Sequence, residues 1–375
     1  MKKIFIGLLV FGFGLAVAQD YVMGINFDSG GKFDRSFNEG TWNGFSRAVN
    51  ELSDEYDIEA LEFEGSPDTF SQGLRAMSDQ GADLIVAPGF LQADAISNVA
   101  LEFPNTSYVI IDAVVEADNV RSVLFREQEG SYLVGYIAGT LSQTGVVGFI
   151  GGQDIPLIRA FGLGYETGVL AACPECTVIS NFTGVTPAAW SDPARAKELA
   201  TLQHGQGADI IYAAAGASGN GVIDFVTETM CYTQSDLPSE VVLRETPLTS
   251  VVAEIPKSDS YSESCAEGAQ PIFFIGVDSN QNRFGDTDGD ASTLNHGLTS
   301  MLKRVDVAAE NAVYDVVNGE FTSGIQSLGL EEGGVAYAVD EYNDALITEG
   351  LRNELQSITD GIVAGIIEVP DYRTQ

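Results

Sequence analysis

The residues best equipped for chemistry sit where apolar runs end. Phe33, Asp34 and Asn38 fall between a strand-length run, Tyr21–Ile25, and a helical pattern through Phe37, Trp42, Phe45, Val49 and Leu52. They offer a flat stacking surface, an acceptor and an amide that both donates and accepts. That set suits recognition of a flat polar ring. Asp34 or Ser36 could equally be a plain helix cap, since Ser36 and Glu39 have capping-box spacing. Further polar groups close later runs: Asp112 after Thr106–Ile111, Gly216 after Asp209–Ala215, Asp278 after Pro271–Val277 and Lys303 after Gly297–Leu302. Phe161 lies near the start of a helical stretch. Strand-end caps, salt bridges and core packing are the bland readings of these positions.

Catalysis is poorly served. His204 and His296 are the only histidines and lie far apart, and no His joins Asp28 and Asp34 as a hydrolytic site would need. Asp286-Thr-Asp-Gly-Asp290 alternates carboxylates, but Ala291 and Gly297 stand where a calcium loop wants Gly and Glu, so a solvated acidic turn is expected and no metal. Gly216–Gly221 matches a phosphate loop in composition only. Cys173 with Cys176, and Cys231 with Cys265, read as structural disulfides of an exported chain.

The elements that position these groups alternate. Strands are expected at 58–63, 83–90, 106–112, 120–125, 145–152, 177–182, 209–216 and 271–278. Helices are expected at 70–80, 93–102, 130–141, 156–170, 192–203 and 303–317. Alternation of this kind implies parallel sheets covered on both faces, with ligands at the carboxyl ends of the strands. The stripe Tyr132, Gly135, Tyr136, Gly139 reads as close packing. Gly324–Gly329 and Val335–Val339 form late strands, and a closing helix spans about 342–367.

A chain of 375 residues suggests two domains. The formal net charge of −36 opposes binding of nucleic acid or an anionic membrane through a general basic face. Met1-Lys-Lys3, an apolar run and Ala16-Val17-Ala18 have the form of a cleavable signal peptide that leaves Gln19 first. No Cys follows the run to carry a lipid, so a soluble periplasmic protein is expected.

Phe33-Asp-Arg-Ser-Phe-Asn38 resembles the opening motif of the basic membrane protein family, the purine-nucleoside-receptor-like solute-binding proteins of ABC transporters. So do Phe125-Arg-Glu-Gln-Glu-Gly-Ser-Tyr-Leu-Val-Gly135, Val147–Gly152 with Phe161 and Gly164, Ala214–Gly216, Ile275–Asp278 and Thr299–Asp306, all in family order. The resemblance implies an α/β, type I periplasmic-binding-protein fold, with two doubly wound lobes joined by a three-strand hinge. Residues 1–18 would be signal peptide, 19–124 plus 303–322 lobe 1, and 125–302 plus 323–340 lobe 2 with a polar insertion at about 229–270. A C-terminal helix and tail would occupy 341–375.

In such receptors a base is held between aromatic rings while polar groups read its edge and the ribose. The resemblance gives Phe33 and Phe161 the two stacking faces, with Trp190 in reserve. Asp34 and Asn38 would meet the base edge, Asp112, Asp278 and Lys303 the ribose hydroxyls, and Gly216 would let backbone approach. It implies a non-enzymatic, monomeric, cofactor-free importer subunit that delivers a purine nucleoside to a permease. A receptor for a sugar, a signalling furanose or a flavin is the alternative, and an exported nucleoside hydrolase a more distant one.

Overall fold

A computed structural model describes residues 20–374; the signal-peptide stretch lies outside the described residues. The first part of the chain runs β1 (Asp20–Phe27), α1 (Phe37–Leu52), β2 (Asp57–Glu64), α2 (Phe70–Asp79), β3 (Leu84–Pro88), α3 (Ala93–Glu102), β4 (Ser107–Ile111) and β5 (Val120–Phe125). The second runs α4 (Glu127–Leu141), β6 (Val146–Gln153), α5 (Pro156–Ala172), β7 (Thr177–Gly184), α6 (Pro193–Gly205), β8 (Ile210–Ala214) and α7 (Asn220–Thr229). After these come β9 (Cys231–Tyr232), α8 (Pro247–Glu254), α9 (Asp259–Ser264), β10 (Gln270–Pro271), β11 (Phe273–Asp278) and β12 (Gly297–Lys303). The chain closes with α10 (Val305–Val317), β13 (Gly324–Leu328), β14 (Val335–Tyr337) and α11 (Glu349–Val363).

Two six-stranded sheets result, ordered β13-β5-β4-β3-β1-β2 and β14-β12-β11-β8-β6-β7. Every pair in the first is parallel, and in the second only β12–β14 is antiparallel. The central strands β3 and β8 are buried throughout, as continuous apolar runs covered on both faces must be. The chain passes between the sheets after β5, after β12 and after β13. These crossings are tied together: Arg126 N donates to Leu328 O and Arg304 N to Gly334 O.

Helix packing follows from small residues. A Cβ on Gly135 of α4 would lie 2.2 Å from the Tyr165 carbonyl of α5, and one on Gly168 would lie 2.0 Å from the Tyr132 carbonyl. Only glycine allows that approach, so the expected stripe is a packing seam.

Three expectations need adjustment. Residues 324–328 join the first sheet beside β5 rather than lobe 2, because after α10 the free edge of β5 is what the returning run meets. α4 begins at Glu127, before the expected Gly130. α11 is shorter than 342–367: Thr348 caps it through the Leu351 N–H, and Asp340 and Asn343 fold the preceding residues into turns.

The polar segment 229–270 is closed by a Cys231–Cys265 disulfide and a β9–β10 pairing, and Cys173 is bonded to Cys176. Asp286 and Asp288 accept backbone N–H groups of their own loop, which makes 286–290 a self-capped acidic turn.

Candidate functional site

One cavity lies where the carboxyl ends of both sheets face each other. The loop after β1 forms its first wall. Asp34 accepts the Ser36 N–H at 2.8 Å and the Glu39 N–H at 3.1 Å on Oδ1, and the Asn38 N–H at 2.9 Å on Oδ2. It is therefore the cap of α1, satisfying the donors that a helix start leaves open. The Asn38 amide accepts from Asp28 N at 3.0 Å and donates to Asp34 Oδ2 at 3.2 Å, which staples the loop shut. With α1 starting at Phe37, that ring points back over the loop and into the cavity.

A second wall is charged. Asp112 and Asp278 occupy matching places just past β4 and at the end of β11, with φ of +72° and +63°, left-handed conformations unusual for a residue with a Cβ. Lys303 Nζ lies 2.6 and 2.7 Å from the two Asp112 oxygens and 3.1 Å from Glu127 Oε1. Its side chain is 2% exposed, and its ammonium stands 5.2 to 5.6 Å from the ring centres of Phe37, Phe125 and Phe161. Burial alone would lower the Lys303 pKa, but Asp112, Glu127 and Asp278 outweigh it and raise it. The group stays an ammonium.

Burial pushes the carboxyls of Asp28, Asp34 and Asp278 up to about 6. Their free valences differ. Asp34 is occupied by its helix. Asp28 accepts Ser29 N–H on Oδ1, and Asp278 accepts the Ser36 hydroxyl at 2.6 Å on Oδ2, so among the described residues Asp28 Oδ2 and Asp278 Oδ1 are without a hydrogen-bond donor. The indole N–H of Trp190 is buried without a partner among the described residues.

The sheets also meet across the cleft. Besides the Ser36–Asp278 bond, the Ser279 hydroxyl donates to Ser36 O at 2.9 Å, Gln281 to Arg35 O at 2.8 Å, and Asn220 to Asp34 O at 3.3 Å. Phe90 and Trp190 approach edge to face, with centroids 6.5 Å apart. The arrangement is closed.

Asp34, Asn38, Asp112, Phe161, Gly216, Asp278 and Lys303 all line this cavity. Phe33 does not: its ring is 74% exposed at the loop tip, and Phe37 supplies the aromatic from that loop. Gly216 has φ +54° and abuts Trp190, which lines the cavity as well. Phe37, Phe90, Asp28 and Leu157 were not singled out as ligand contacts from the sequence. The helix-start position of Phe37, one step past Ser36, is the available signal. No residue of 229–270 or 286–290 reaches the cavity.

A family model described as ABC transporter substrate-binding protein, PnrA-like, matches residues 22–372. The chain is 27% identical over 359 residues to a CD4+ T-cell-stimulating antigen of Listeria monocytogenes, covering 94% of this chain and 89% of that one. It is 26% identical over 358 residues to the ABC transporter nucleoside-binding protein BmpA of Lactococcus lactis, covering 94% and 90%. A solved structure of ABC transporter system solute-binding proteins from Aeropyrum pernix superposes with a TM-score of 0.71 at 27% identity, over 94% of this chain and 96% of that one.

Proposed function

The chain belongs to the PnrA-like family of ABC transporter substrate-binding proteins, and from that premise we propose that it captures a purine nucleoside in the cavity between its sheets. The fold is the type I periplasmic-binding-protein fold. A small-molecule ligand and a transporter permease are the partners this class implies. The observation that carries the nucleoside reading is the pairing of aromatic walls with open polar valences in one chamber. Phe37 and Phe90 come from the first sheet's side, Phe161 and Trp190 from the second's, with Asp28 and Asp278 each keeping a free oxygen. The name of the Lactococcus lactis relative supports the same class of ligand.

In this reading the base lies against Phe37 and Trp190, a flat ring between π-faces. The open oxygen of Asp28 accepts a base N–H, and Asp278 with the Asp112–Lys303 pair takes the ribose hydroxyls. Asp34 and Asn38 act one step back, by fixing the loop that presents Phe37. Lobe 1 comprises the first sheet with α10 and β13, and lobe 2 the second sheet with the 229–270 insertion. Closure over the ligand brings Ser36 to Asp278 and creates the form a permease recognises. In this reading the protein works as a monomer in the periplasm.

A thermal-shift panel of nucleosides, free bases, flavins and sugars tests this, since a ligand that binds only the folded state raises Tm. Purine nucleosides should give the largest rise. A rise with sugars or flavins alone would overturn the assignment, and release of free base from inosine would point to a hydrolase.

A further inference from the structure

A run of alternating charge, buried at Asp112, Lys303 and Glu127 and reaching the surface at Arg373, connects the cavity to residues 371–374. Lys303 Nζ lies 2.6 Å from Asp112 Oδ1 and 3.1 Å from Glu127 Oε1, and Arg373 Nη1 lies 2.9 Å from Glu127 Oε2. Glu127 is fully buried, and neither of its oxygens has a hydrogen-bond partner of good geometry among the described residues. Compensation for its charge therefore rests on those two cations. Arg373 is itself well fixed: Asp371 pairs with its Nε at 2.9 Å, Phe125 O accepts from both terminal nitrogens at 3.2 Å, and Gln128 Oε1 accepts at 3.1 Å. The Tyr372 ring faces Arg159 of α5, 5.5 Å from its centre, and the first turns of α5 bring Leu157, Ile158 and Phe161 to the cavity.

One ammonium cannot fully serve two buried carboxylates, and Asp278 draws on Lys303 as well. With Arg373 present, the run Asp112, Lys303, Glu127, Arg373 balances to zero. Without it, an ionised Glu127 pulls Lys303 away from Asp112, which changes the charge offered at the cavity wall. We propose that Arg373 is a positioning residue for the ligand site: by holding Glu127 from behind, it keeps Lys303 committed to Asp112 where that pair meets the ligand. The binding half of this inference rests on the nucleoside reading above; the placement of Lys303 does not.

Three variants of the full chain test it: Arg373→Met, Arg373→Lys, and Arg373→Met combined with Glu127→Gln. Calorimetry with inosine should show Arg373→Met weakened about tenfold or more, an effect of about 1.4 kcal/mol. Arg373→Lys should recover most of that loss, and the double variant should return to within a few-fold of wild type because the charge count balances again. Binding within twofold of wild type in Arg373→Met, or a double variant no better than the single one, would overturn the proposal. So would a lowered Tm with unchanged affinity, the mark of a merely structural clasp.

A readout free of ligand is the side-chain NMR signal of Lys303, assigned by its loss in Lys303→Met. It should move in Arg373→Met and return in the double variant, and a signal that stays put refutes the positioning role. Should wild type bind no nucleoside while this signal moves, the nucleoside reading fails and the positioning role stands.

Discussion

The loop at residues 28–38 and the wall formed by Asp112, Glu127 and Lys303 enclose the same cavity, yet they are built by opposite means. The loop is local: its bonds run from Asp34 to Ser36, Asn38 and Glu39 and from Asn38 to Asp28, all within ten residues. The charged wall is assembled across the chain, with Lys303 and Asp112 lying 191 positions apart. A local wall spreads its stabilisation over several neutral-to-charged hydrogen bonds, and losing one leaves the others. The charged wall is a set of ions in a dry place, where removing one member strands the rest. The loop therefore supplies shape, and the far wall couples the site to the crossings between sheets.

Removal of the ammonium should break this contrast most severely. Lys303→Met leaves Asp112 and Glu127 buried without their shared cation, and the expected cost is about 3–5 kcal/mol of stability. Chemical denaturation of the ligand-free protein measures it, and a loss near zero would mean the wall is better hydrated than its burial implies. In the loop, Asp34→Ala removes the α1 cap and should cost only about 1–2 kcal/mol. Its main effect on ligand affinity should come through a loosened Phe37, visible as faster ligand release in stopped-flow.

Ser36→Ala joins the two walls, because the Ser36 hydroxyl reaches Asp278 from the opposite sheet. Loss of that bond should cost the closed form about 1.5 kcal/mol, roughly tenfold in affinity, while unfolding of the ligand-free protein changes little. Equal affinity for wild type and variant would show that the contact does not contribute to closure.

The smallest effect expected is on pH. Asp28, Asp34 and Asp278 have folded-state values of about 6, above their ordinary 3.8. Groups raised in this way favour the folded state when protonated, so their contribution is fully present below about pH 4 and is lost as pH rises through about 6. His296 works against this, since burial lowers it to about 4 and its contribution is lost as pH falls below 6.5. Ligand capture should run opposite to the carboxyl trend, because ionised Asp28 and Asp278 are the better acceptors. Affinity for inosine should rise a few-fold between pH 5.5 and 7.5, and calorimetry at both ends would show a flat profile if these carboxyls do not meet the ligand.

The same contrast explains what could be read from the residues alone. Alternating apolar runs gave both sheets, and strand-end positions brought Asp112, Gly216, Asp278 and Lys303 to the cavity's side. Capping chemistry marked the 28–38 loop. The choice between Phe33 and Phe37 turned on where α1 begins, since a ring at the first helical position leans back over the loop while one four residues earlier projects outward. Glu127 stood inside a recognised segment without a role, because its partners Lys303 and Arg373 are distant in sequence. Strand β13 carries no local mark of which sheet it joins. Long-range pairing was the part that pattern and spacing do not encode.

The measurement that bears most directly on the account is calorimetric titration of inosine into wild type, Phe37→Ala and Phe33→Ala. Stacking of a base on an aromatic ring is worth about 1–3 kcal/mol. Wild type should bind one inosine per chain, Phe37→Ala should bind it about 5–150-fold more weakly, and Phe33→Ala should match wild type. Absence of inosine binding by wild type, or a loss confined to Phe33→Ala, would contradict the cavity as drawn here.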